Sequence, residues 1–160
     1  RSTLFPYTTL FRSSIQHPYA IVITCSDSRV IPEAIFSAGI GDLFVIRLAG
    51  NVIDDHQLGS IEYAVEHLGS NLVVELGHTK CGAVDAAIHH DPSGFIKYIT
   101  DEIRTAIGDE TDPYRAGCLN VEHEVSEISA QLDIDHIRHG NDPAVIGAMY
   151  HIDSGEVEFL

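Results

Sequence analysis

Two short polar stretches carry the residues that could do chemistry. Cys25-Ser26-Asp27-Ser28-Arg29 follows the apolar run Ala20-Ile21-Val22-Ile23-Thr24, and Gly77-His78-Thr79-Lys80-Cys81-Gly82 follows Leu72-Val73-Val74-Glu75-Leu76. Thiolate and imidazole are the donors that zinc favours. His78 and Cys81 are three residues apart, so one turn at a helix start can aim both at a common point. Cys25 must reach that point from elsewhere in the chain. Three protein ligands leave a fourth position, where a bound water has its pKa lowered to roughly 7. Asp27 lies two residues from Cys25. It is near enough to take the fourth position or to accept a hydrogen bond from that water. Arg29, two residues further on, can grip a carboxylate through two parallel hydrogen bonds. The pair reads as a switch: open with Asp27 on Arg29, closed with Asp27 on the metal.

The elements that must position these groups follow from patterning. Each apolar run reads as a strand ending where the polar residues begin. In a parallel sheet both sets emerge at the carboxyl edge, where open α/β folds place ligands. Asp42–Leu48 reads as a further strand. Pro32–Ala38, Gln57–Leu68 and Ala83–His90 read as helices between the strands. The alternation predicts an α/β fold with a mostly parallel central sheet flanked by helices. Beyond it, Phe95–Ile107 reads as a helix and Gly108–Gly117 as an acidic loop. Asn120–Ile137 reads as an amphipathic helix with Asn120 as candidate cap. Ala144–Tyr150 reads as a fourth strand, turned by Ser154-Gly155 into a hairpin partner at Val157–Leu160.

Composition narrows the classes. The chain has 160 residues and is 44% hydrophobic, which suits a single domain with a real core. A net charge of −15 argues against nucleic acid and against anionic membrane as partners. No apolar run reaches the ~20 residues that span a bilayer, and no secretory signal pattern is visible. Three cysteines make a disulfide framework a poor reading; reduced, metal-bound thiols fit a cytoplasmic setting. Residues 1–13 read RSTLFPYTTLFRS, with Arg-Ser at both ends and no clean periodicity. They read as a non-native or disordered segment ahead of a single domain over 14–160. The alternative is a native arm that packs on a partner.

The motifs resemble those of the β-class carbonic anhydrases. Cys25-Ser26-Asp27-Ser28-Arg29 matches that family's C-x-D-x-R, and His78-Thr79-Lys80-Cys81 its H-x-x-C. Gly41–Arg47, Ala49-Gly50-Asn51, Glu62-Tyr63-Ala64 and Cys81–Val84 are similar to the family as well, as is the ending from Gly147. The resemblance implies reversible hydration of carbon dioxide to bicarbonate and a proton by attack of zinc hydroxide. One zinc per chain would be held by Cys25, His78 and Cys81, with Asp27 as alternative fourth ligand and Asp27–Arg29 as catalytic dyad. It also implies a plant-like substrate pocket of Gln16, Phe44 and Tyr63, completed across a dimer or within a tetramer, with the Gly82 N–H near the substrate. Two rival functions remain: hydrolysis of carbon disulfide or carbonyl sulfide at the same site, and a zinc-binding structural or regulatory domain with Asp27 permanently on the metal.

Other residues carry blander expectations. Cys118 reads as a buried spectator at a helix start. His89-His90 reads as a solvated helix end rather than a proton shuttle, and His123, His136 and His139 as an exposed helix face. His151 stands where the family more often has aspartate, and no function attaches to it. Glu75 interrupts an apolar strand. A buried carboxylate is costly unless paired, so it is expected to face a gap, a partner subunit or a missing N-terminal element.

Overall fold

Five strands form one sheet in the order β2-β1-β3-β4-β5. The computed structural model describes residues 15–134 and 143–160. The strands are β1 (Ala20–Thr24), β2 (Leu43–Arg47), β3 (Leu72–His78), β4 (Ala144–Tyr150) and β5 (Val157–Phe159). The first four run parallel and β5 returns antiparallel on β4. β1 is buried along its whole length, as a strand of apolar and β-branched residues inside a parallel sheet should be.

The helices are α1 (Pro32–Ile35), α2 (Asp55–Leu68), α3 (Gly82–His89), α4 (Ile96–Ile107) and α5 (Pro113–Ile134), with a 3-10 turn at Ala49–Asn51. α2 starts at a capping box. The Asp54 carboxylate accepts from the His56 N–H at 2.8 Å, and Gln57 Oε1 accepts from the Asp54 N–H at 3.0 Å. Ile61, Ala64 and Val65 of α2 pack with Ile21, Ile23, Val73, Ile128 and Leu132 on one face of the sheet. On the opposite face Val22, Val74, Leu76 and Ala148 pack with Val30, Ile35 and Phe36. A third cluster surrounds the candidate site: Cys25, Val52, Cys81, Val84, Ala87, Ile103, Ile107 and Ala116.

α5 differs most from the sequence reading. It begins at Pro113, inside the expected acidic loop. Pro113 occupies a first-turn position that tolerates a missing N–H, and Asp112 Oδ1 accepts from the Arg115 N–H at 2.8 Å. Asn120 is therefore not a cap; it lies within the helix and is 1% exposed. Cys118 is buried within α5 rather than at its start. His123 is mostly buried rather than exposed, with Nε2 3.8 Å from Glu102. The helix packs closely on β3 because Gly77 has no side chain. A Cβ there would lie 2.6 Å from Val121 Cγ2 and 2.8 Å from Met149 Sδ. The suspect segment 1–13, together with His136 and His139, falls outside the described residues.

Candidate metal centre

The topology brings the two motifs together at the carboxyl edge of adjacent strands. Cys25 follows β1, His78 closes β3, and Cys81 immediately precedes α3. One ligand atom from each lies within 4.8 Å of the others, and all three residues are buried. The His78 Nδ1–H donates to the Thr79 carbonyl at 2.9 Å. That bond leaves Nε2 as the lone-pair nitrogen. Nε2 is buried and has no hydrogen-bond partner among the described residues, an arrangement costly to keep unless a ligand occupies it. Two thiols and a free imidazole lone pair at this spacing fit zinc.

The thiols divide the charge between them. A hydrogen bond from Cys81 outweighs burial and brings the Cys25 thiol down to about 4, with the adjacent His78 imidazole and then the Gly50 N–H helping. The same bond, together with burial, pushes Cys81 well up. The Gly50 N–H donates to Cys25 Sγ at 3.3 Å.

Asp27 is turned toward Arg29. Oδ1 accepts from the Arg29 backbone N–H and from Nε, each at 2.9 Å, and Oδ2 accepts from Nη2 at 2.7 Å. This two-pronged grip holds the carboxyl well below the usual carboxylate range, against the effect of burial. Oδ2 also lies 4.0 Å from His78 Nε2, so the carboxylate borders the centre while bound to arginine. Arg29 Nη2 makes a second bond, to the Lys80 carbonyl at 3.2 Å. Lys80 has φ of +59°, in the left-handed region. Its loop is fastened to the β4–β5 turn. The Thr79 N–H donates to the Tyr150 carbonyl at 3.0 Å, the Ile152 N–H to Thr79 Oγ1 at 3.1 Å, and Lys80 Nζ pairs with Asp153 at 2.6 Å.

The substrate-pocket residues stand apart from this cluster. Phe44 pairs with Ile21, four residues before Cys25, or roughly 13 Å along a strand rising ~3.3 Å per residue. Tyr63 lies beside Phe44 with ring centroids 6.4 Å apart. Gln16 is exposed ahead of β1, at the amino end of the sheet. Within one protomer these three do not meet Cys25, His78 and Cys81. Gly82 begins α3 directly after Cys81.

Several supporting residues carried no role in the sequence reading. Arg47 Nε donates to the Cys25 carbonyl at 3.1 Å and Nη2 to the Asp27 carbonyl at 2.6 Å, pinning the backbone of the first motif. The signal was visible: Arg47 is the only charge in its strand. Glu75 is fully buried within the protomer. Its Oε1 accepts from Asn51 Nδ2 at 2.8 Å. Burial, then the charge of Glu124 on α5, raises its carboxyl well above the ordinary range, against the Asn51 bond.

The fold is thus a mostly parallel α/β sheet that presents at its carboxyl edge a two-cysteine, one-histidine group able to hold a metal ion, beside an aspartate–arginine pair. The carbonic anhydrase family matches residues 20–157. A carbonic anhydrase of Mycolicibacterium smegmatis is 41% identical over 155 residues, covering 89% of this chain and 75% of that one. Carbonic anhydrase 2 of Mycobacterium tuberculosis is 36% identical over 151 residues, covering 88% and 73%. Among solved structures, the β-carbonic anhydrase CafA of Aspergillus fumigatus superposes with a TM-score of 0.83 at 30% identity, over 91% of this chain and 76% of that one. The Coccomyxa enzyme, solved with acetazolamide, gives 0.84 at 27% identity, over 96% and 76%. A tetrameric β-carbonic anhydrase of Sordaria macrospora gives 0.80 at 28%, over 91% and 82%. The chain belongs to the β-class carbonic anhydrases.

Proposed function

We propose that this chain catalyses the reversible hydration of carbon dioxide to bicarbonate and a proton, with one zinc held by Cys25 Sγ, His78 Nε2 and Cys81 Sγ. The observation that carries the reading is the convergence of two thiols with a buried imidazole nitrogen that has no hydrogen-bond partner among the described residues. Zinc there would supply a Lewis acid able to lower the pKa of a water in the remaining position to roughly 7. Asp27, kept ionised by Arg29, would accept a hydrogen bond from the attacking water and orient it toward carbon dioxide. Arg29, bound to both carboxylate oxygens, would keep Asp27 from taking the fourth position. Arg47 holds the motif's backbone so that Cys25 and Asp27 keep their relation. The Gly82 N–H, at a helix start, would favour the bicarbonate product. The proton passes to buffer.

Gln16, Phe44 and Tyr63 would reach a metal centre from a second copy of the chain, Gln16 as a donor to bicarbonate and Phe44 as an apolar wall. That arrangement calls for a homodimer or a tetramer. Three free cysteines suit a reducing compartment such as the cytoplasm. Engagement of Asp27 with Arg29, rather than with the metal ligands, supports an open catalytic site over a closed structural one.

Stopped-flow carbon dioxide hydration from acid to alkaline pH, with zinc counted in the same sample, tests the proposal. Activity with about one zinc per chain supports it. Zinc without hydration, but with turnover of carbonyl sulfide or carbon disulfide, would move the substrate to the sulfur analogues. Zinc with no turnover of any of them would make the site structural.

A further inference from the structure

Between the metal ligands and α5 lies a buried polar network that the proposed mechanism does not use. Its centre is the 3-10 turn at Ala49–Asn51. Gly50 has φ of +73°, and a Cβ there would sit 2.8 Å from Ile103 Cδ1 and 3.0 Å from Ala83 Cβ. Only glycine fits both the conformation and the space. The turn delivers the Gly50 N–H to Cys25 Sγ. Gly50 is also held at its other end. Asn120 Nδ2, from the middle of α5, donates to the Gly50 carbonyl at 2.9 Å. The following residue, Asn51, has φ of +48° and is tied by its side chain to Glu75.

A buried asparagine in a helix interior is a poor choice for stability. It gives up helix propensity and must find partners away from water. Here Nδ2 has a partner, while Oδ1 has none among the described residues. The cost is offset only at Gly50, and Gly50 touches the sulfur. We propose that Asn120 is a positioning residue for the metal centre: by fixing the Gly50 carbonyl it keeps the Gly50 N–H on the Cys25 sulfur. The inference rests on Cys25 being a metal ligand. An N–H donated to a thiolate favours the charged form and drains electron density from the sulfur. Such outer hydrogen bonds commonly set both the affinity and the electronics of a metal site.

The test compares wild type, Asn120→Leu and Asn120→Ser as zinc and cobalt(II) proteins. A remote control, Ser70→Ala, removes a buried hydrogen bond at the amino end of β3, where Ser70 Oγ donates to the Pro18 carbonyl. Zinc affinity is read by chelator competition, and the thiolate-to-cobalt charge-transfer band by absorption. In both Asn120 variants zinc affinity should fall about tenfold or more, and the band should move to lower energy as the sulfur becomes a better donor. Ser70→Ala should lose stability and leave both readings unchanged. Folded Asn120 variants with zinc affinity within about twofold of wild type and an unmoved band would overturn the inference. So would failure of both to fold, since Asn120 would then be a structural residue. Wild-type protein that binds neither metal would instead overturn the zinc assignment itself.

Discussion

Replacing Glu124 by glutamine should make the protein more stable, by a margin that grows as pH rises from about 4.5 to about 8. Glu124 is 1% exposed and Glu75 is fully buried. Glu75 Oε2 and Glu124 Oε1 have no hydrogen-bond partner among the described residues. Burial, then the charge of Glu102, raises the Glu124 carboxyl from an ordinary 4.5 to about 8; the Ile53 N–H opposes this and Glu127 adds to it. A carboxyl raised on folding keeps its proton in the native state where the unfolded chain has released it. Its contribution is therefore fully present below about 4.5 and is lost as pH climbs to about 8. The interval of 8 − 4.5, at about 1.4 kcal/mol per unit, sets an upper limit of about 5 kcal/mol. Structural relaxation and water entry reduce such penalties, so about 3–5 kcal/mol is the working range. Glutamine keeps the shape and carries no charge at any pH. In denaturant titrations at fixed zinc and protomer concentration, Glu124→Gln should match wild type within about 1 kcal/mol at pH 5 and exceed it by about 3–5 kcal/mol at pH 9. Taking the difference between proteins cancels the pH dependence of zinc binding. A stability difference that stays flat from pH 5 to 9 would refute the reasoning, as would a glutamine variant weaker at pH 9.

Further predictions concern the centre itself. Cys25→Ser and His78→Ala should each lose most of the zinc on dialysis, measured by metal analysis; a variant that keeps one zinc per chain and full activity contradicts the ligand assignment. Asp27→Asn should retain zinc while hydration slows by about 10²–10⁴-fold, the usual range for a lost proton-handling group. An unchanged rate in that variant would remove Asp27 from the mechanism.

The strands and the two motifs were legible because local pattern and tertiary role coincide there. Apolar runs such as Ala20–Thr24 became buried strands, and their ends became the site. The start of α5 was hidden because Gly117 read as a breaker. In the fold its missing side chain is filled by Met149, whose Cε lies 3.1 Å from where a Cβ would be. Asn120 read as a cap for a related reason: a polar residue ahead of an apolar stripe usually ends a loop. Its partner, the Gly50 carbonyl, lies 70 residues away and leaves no local trace. The cost of burying Glu75 was readable, but its partner Asn51 was not, because the contact joins a strand to a turn 24 residues away. Gln16, Phe44 and Tyr63 match a motif by position, yet one protomer does not carry them to Cys25, His78 and Cys81.

The fastening of the Thr79–Lys80 loop also has a meaning in time. Ile152, which donates to Thr79, is synthesised 73 residues after it. At about 5–20 residues per second, the loop between His78 and Cys81 waits roughly 4–15 s for its anchor. All the proposed ligands are thus made long before the strand that holds their loop in place. Under the proposed ligand set, durable capture of zinc would be tied to completion of the sheet at β4 and its turn rather than to synthesis of the ligands. A chain halted before Ala144 should surrender zinc to a chelator faster than the full chain; equal rates would show that the loop holds its shape unaided.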